Sequence, residues 1–225
     1  MSDESPLTLD GGGNLAFFGK ITASVSHELN NVMSIIEQTT GLIEDLCAGA
    51  AYGKPLSPEK LQEIATRVIK QVDRGAGIIK RLNYFAHSID DPVKTFEANI
   101  LVANLVELCQ RFTAMKKVAL ECRCPDQVIN LHSSPFALEH AIFLCIHLVL
   151  TASASHETIS VELERCDGGA QITVIGSPIL EGEETQTHLK RLAVLLRLLQ
   201  GSMQHTGQEG RSIFQLTVVN LREET

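Results

Sequence analysis

Between residues 14 and 46 the apolar side chains Phe18, Ile21, Val25, Leu29, Val32 and Ile36 recur at alternating steps of three and four residues. That spacing lines one face of a helix and predicts a long amphipathic helix here. At about 100° of rotation per residue the six point within roughly 40° of a common direction, and His27 points about 180° away. The histidine is therefore expected in water. Asn31, Ser34 and Gln38 continue the exposed face above it, and Glu28 flanks it about 100° round the helix. An imidazole, a carboxylate and an amide then share one accessible patch. Neutral imidazole is a nucleophile near pH 7, and a neighbouring carboxylate can orient the ring and take up its proton. Such a patch is able to carry a phosphoryl group. For a His-Glu pair taken alone the plainer reading is a solvated polar face.

The chain of 225 residues has room for two small domains or one large one, and at 44% hydrophobic residues it is expected to be globular. Its 27 acidic and 19 basic side chains include no Lys/Arg-rich run, which argues against a nucleic-acid partner. The six cysteines form no C-x-x-C pair. Cys122 and Cys124 share a face of an expected strand, and buried free thiols in a reducing cytoplasm are the expected state. The apolar run Ala141 to Leu150 is too short for a bilayer and is broken by His147. No membrane association is expected, the expected location is cytoplasmic, and no room is left for a sensory module.

Residues 1–13, ending in Gly11-Gly12-Gly13, read as a flexible leader. A loop around Gly49 to Pro55 follows the first helix. A second helix starts with Ser57 as N-cap and Pro58 at its first position, and its expected stripe is Leu61, Ile64, Val68, Val72, Ile79, Leu82 and Ala86. Gly75 and Gly77 mark a bend or a close approach within it. The two helices form an antiparallel hairpin that cannot cover both stripes alone, so a symmetric homodimer closing a four-helix bundle is expected. Asp90-Asp91-Pro92 ends the hairpin as a linker.

Beyond the linker the pattern predicts helices near 99–115, 134–154 and 189–200. Strands are expected at 118–122, 128–131, 159–164, 171–175 and 212–219, with hairpin turns at Asp167-Gly168-Gly169 and near 207–210. The expected class is α+β, with this half forming a sheet that carries helices on one face.

Ser26-His27-Glu28-Leu29-Asn30-Asn31 resembles the H-box of sensor histidine kinases of HisKA type, and the run from Arg74 to Phe85 looks like that family's second helix. The resemblance implies that His27 is the phosphoacceptor, that Glu28 assists proton transfer, and that Asn31 supports dephosphorylation of a partner regulator. The second half is similar in element order to the family's ATP-binding domain, a two-layer α/β sandwich of Bergerat (GHKL) type. Its nucleotide motifs are missing. Leu144 and Leu148 stand where the family has its two asparagines, Ile172 to Ile179 lacks the Asp-x-Gly-x-Gly pattern, and His188 to Ala193 has no glycine where a phosphate-cradling loop belongs.

These observations divide the chain into a leader at 1–13, a helical hairpin dimerisation and phosphotransfer domain at 14–90, and a degenerate ATPase-like domain at 91–225. The implied protein is a histidine phosphotransferase of a bacterial two-component phosphorelay. His27 would shuttle phosphate between the aspartates of response-regulator receivers, with a hybrid histidine kinase as a further partner. Neither ATP nor a metal or other cofactor of its own is expected, because the receiver supplies Mg²⁺. A phosphatase acting through Asn31, a pseudokinase scaffold and an ATP-dependent kinase remain as alternatives. His140 and His147 lie on one helix face and read as packed histidines. His87, His132, His156, His188 and His205 show no partnering pattern.

Overall fold

The computed structural model describes residues 11–221. The leader expected at 1–13 lies outside them up to residue 10, whereas residues 11–13 already belong to the first helix. Helix α1 spans Gly11–Ala51 and α2 spans Pro58–Ala86. Ser57 caps α2 as expected, its hydroxyl oxygen accepting from the Lys60 amide at 3.3 Å. The described chain divides into two compact units. One comprises residues 22–83, and the other joins the residues up to Ile21 with those from Tyr84 onward.

In the helical unit α1 buries Ser24, Val25, Val32 and Thr39, and α2 buries Ile64, Gly75 and Ile78. A methyl group on Gly75 would sit 3.4 Å from a Val32 methyl, so the two helices approach closely there without a clash. The stripe expected on α2 needs correction. Val72 is 53% exposed and Ile79 48%, and Ile78 is buried in their stead. Helix α2 carries two apolar stripes, and only one meets α1. The outward one holds Ile69, Val72, Ala76 and Ile79, again at steps of three and four.

The α+β unit begins in sequence with β1 (Lys94–Glu97), α3 (Ala98–Met115), β2 (Ala119–Arg123), β3 (Asn130–Ser133) and α4 (Pro135–Ala152). It continues with β4 (Thr158–Cys166), β5 (Gly169–Gly176), α5 (Glu183–Leu198), β6 (Ser202–Gln208) and β7 (Arg211–Val219). Five strands form a mixed sheet in the order β2-β4-β5-β7-β6, parallel only between β2 and β4, and β1 pairs with β3 in a separate antiparallel ribbon. Alternate residues of β7, Ser212, Phe214, Leu216 and Val218, are buried, the period of a sheet with one covered face. The β4–β5 turn uses Gly168 at φ 76° and the β6–β7 turn uses Glu209 and Gly210 at φ 49° and 74°. These are the left-handed conformations that a two-residue hairpin loop requires.

Helix α4 is the center of this core, buried from Pro135 to Ile146. It is also the one described helix long and apolar enough to cross a membrane, and most of it is inside the unit. Phe17 from the start of α1 packs on it, with ring centroids 5.4 Å from Phe85, 5.4 Å from Phe136 and 4.9 Å from Phe143. Expectation and structure differ at three further places. Strand β1 was not expected, because only its pairing with β3 makes a strand of Lys94-Thr95-Phe96-Glu97. Helix α5 starts at Glu183 rather than 189, its first turns being polar. Of the cysteines, Cys109 and Cys145 are buried, but Cys47 and Cys122 are exposed. The Cys122 and Cys124 sulfurs stand 3.6 Å apart, as sharing a strand face predicts.

Candidate functional site

In the helical unit His27 is exposed on α1, and Asn31, one turn further on, is exposed as well. The Ser26 hydroxyl donates back to the Thr22 carbonyl at 2.9 Å. Glu28 lies at the edge of this face, its side chain 26% exposed, and its Oε1 accepts from Arg74 of α2 at 3.0 Å. The guanidinium contact limits the motion of the carboxylate. The helix face thus offers a solvent-facing nucleophile, an anchored carboxylate and a free-standing amide within two turns. Arg74 is the member that sequence reasoning did not assign a role, because only the hairpin register brings it opposite Glu28.

In the α+β unit Leu144 and Leu148 are 3% and 4% exposed, apolar and packed into the core. Neither offers an oxygen to a metal or a phosphate. At the end of β5 a Cβ on Gly176 would stand 2.7 Å from the Val149 Cβ, so that glycine serves helix-to-strand packing. The next residue, Ser177, is bonded to the Glu157 carboxylate and, at 2.9 Å, to the Ser153 hydroxyl. Leu144, Leu148, Gly176 and Ser177 are thus all engaged in packing or hydrogen bonds within the α+β unit.

His140 is a buried histidine with its needs met. Its ring stacks on Phe17 at 4.5 Å and 8°, and Nδ1 meets Asn14 Oδ1 at 3.0 Å. Burial, then Arg191, His188 and Lys20, push its pKa down to about 3. Beside it Glu139 is 0% exposed, and neither carboxylate oxygen has a hydrogen-bond partner. Burial pushes its pKa up to about 8, although Ser88 and Lys94 pull the other way. The Ser88 hydroxyl is already committed to the Phe85 carbonyl at 2.7 Å.

His188, which shows no partnering pattern in the sequence, has a neighbour in the structure. Its ring meets that of His147 edge to face, with centroids 5.1 Å apart, and His147 Nε2 lies 3.9 Å from Glu184 Oε1. Burial, then Lys20 and His188, push the His147 pKa down to about 4. Spacing relates Glu184 and His188 within α5 but not His147, which comes from α4.

No protein-family model and no curated protein matches the chain. Solved structures do. The catalytic domain of histidine kinase ThkA aligns with a TM-score of 0.50 at 12% identity, covering 57% of this chain and 95% of that one. Histidine kinase AdeS of Acinetobacter baumannii aligns at 0.48 and 14% identity over 86% of this chain and 97% of that one. A bacterial phosphotransferase aligns at 0.47 and 8% identity over 94% and 98%. The likeness to ThkA shows that the α+β unit has the fold of a histidine-kinase catalytic domain.

Proposed function

We propose that the chain is a histidine phosphotransferase of a two-component phosphorelay, with His27 passing phosphate between receiver aspartates without drawing it from a nucleotide. The observation that carries the proposal is the exposure of His27 on α1 with Asn31 one turn away and Glu28 anchored beside it. In the transfer, the lone pair of one ring nitrogen forms a P–N bond while the P–O bond to the aspartate breaks. The aspartate leaves as a carboxylate with the electron pair. The proton on the other ring nitrogen stays, or passes through Glu28 to solvent, and the reverse sequence hands the phosphoryl group to the second receiver. Alignment and charge neutralisation supply most of the acceleration in such a step, so a receiver that brings its own Mg²⁺ needs little beyond a positioned imidazole.

Two further features support the reading. Buried, apolar Leu144 and Leu148 offer no polar atom at the two positions where the resemblance has asparagines, which suits a docking surface for receivers better than an ATPase. The outward stripe of Ile69, Val72 and Ile79 on α2 is apolar and exposed, which suits a homodimer closed as a four-helix bundle.

The test is to incubate the purified protein with phosphorylated receivers and follow acid-labile, base-stable label, with His27→Gln as the control. Label on the parent chain and none on the variant is the expected result. No label from any receiver would leave a regulatory scaffold, and label from ATP alone would make the chain a kinase. Loss of receiver phosphate without label on His27, abolished by Asn31→Ala, would make it a phosphatase.

A further inference from the structure

Helix α5 places Glu184 and His188 at i and i+4, on one face, and packs that face toward His147 of α4. One ligand atom from each of the three lies within 4.8 Å of the others. The two imidazoles are nearly perpendicular, at 79°, so their edges converge instead of stacking. His147 is held in place by Phe143, whose ring lies parallel to it at 6.0 Å and 4°.

The contacts within the group are too long to explain it. At 3.9 Å the His147–Glu184 approach is beyond a hydrogen bond. A tetrahedral ion with bonds of about 2.0–2.2 Å would draw its ligand atoms to roughly 3.3–3.6 Å from one another. The closure this needs is a side-chain rotation, and the Glu184 side chain, 76% exposed at the start of α5, is free to make it. Two imidazole nitrogens and one carboxylate oxygen suit a borderline late first-row dication, and magnesium and calcium, which prefer all-oxygen sites, are disfavoured. Lys20, Lys116 and Arg191 also face the histidines. Lys116 is turned onto the Leu150 and Thr151 carbonyls at 3.0 and 2.8 Å. These cations weaken the site relative to a closed structural zinc site.

We propose that His147, Glu184 and His188 form a three-ligand zinc-class site that clamps α5 to α4 and leaves one coordination position open. It is independent of the chemistry at His27.

The test uses the tag-free full chain, stripped with chelator and titrated with Zn²⁺ by calorimetry, and with Co²⁺ for its visible absorption. The expected result is one ion per chain, a low-coordinate cobalt band and a higher melting temperature with Zn²⁺. His188→Gln and Glu184→Gln should each weaken binding by about tenfold or more and lose the cobalt band. The exposed position of Glu184 keeps that variant folded. The Cys122→Ser, Cys124→Ser double variant should bind like the parent. Binding that survives in both ligand variants, or is lost in the cysteine variant, or is absent from the parent, overturns the proposal.

Discussion

Arg74 of α2 donates to Glu28 of α1 at 3.0 Å, directly after the histidine that faces solvent. The pair ties the residue beside His27 to the opposite helix. Its side chains are 49% and 26% exposed, so its worth to stability is small, about 0.2–1 kcal/mol. Its role is expected in transfer. Glu28→Gln should slow labelling of His27 by about 10²-fold, the ordinary scale for one general acid–base group. Arg74→Ala should slow it less, and both variants should unfold in urea close to the parent. A full rate in Glu28→Gln would remove the carboxylate from the mechanism.

His27→Gln should abolish labelling while changing stability by no more than about 0.5 kcal/mol, because an exposed side chain leaves no cavity or orphaned partner. Asn31→Ala should accept label normally and slow the loss of phosphate from receivers. Circular dichroism melts beside the labelling assay separate these effects from unfolding.

If the proposed four-helix bundle forms, Val72→Glu and Ile79→Glu should leave the hairpin helical and shift sedimentation from dimer to monomer, since both side chains face outward from the hairpin. Ile78→Glu, placed at the buried neighbour, should unfold the hairpin instead, because it buries an unpaired charge.

Glu139 makes stability depend on pH in a defined direction. Its folded pKa is raised from 4.5 to about 8, so the folded state holds the proton more tightly than the unfolded state does. The associated stability is fully present below about pH 4.5 and is lost as pH rises through about 8, with a slope approaching about 1.4 kcal/mol per pH unit. Glu139→Gln should flatten this decline and stabilise the protein at pH 8.5, with little effect at pH 4.5. Urea midpoints at the two pH values check both signs.

Two glycines should respond oppositely to alanine. At Gly176 the added Cβ meets the Val149 side chain at 2.7 Å, and the overpacking should cost about 1–3 kcal/mol. At Gly77 it meets only the flexible Arg81 guanidinium at 3.6 Å, and the gain in helix propensity should reach up to about 1 kcal/mol. Thermal melts of the two variants distinguish a packing glycine from a merely permissive one.

Both long helices were legible because a three-and-four apolar rhythm has one simple physical solution, and the exposure of His27 followed from the same count. The hairpin turns at Gly168 and Gly210 were legible too, since short loops of positive φ select glycine. The inner face of α2 was misread because that helix has two stripes, and periodicity states that a face is apolar without stating which neighbour covers it. Strand β1 was missed because four mostly polar residues become a strand only by borrowing the hydrogen bonds of β3.

By itself the sequence determined the local elements, the outward histidine on α1 and the largely apolar character of α4, because each depends on residues close in the chain. The tertiary structure alone decided that Arg74 anchors Glu28, that Glu139 is sealed away without a partner, and that His147 meets His188 and Glu184. Those juxtapositions join elements distant in sequence, and their geometry is set by how helices pack, which no local spacing encodes.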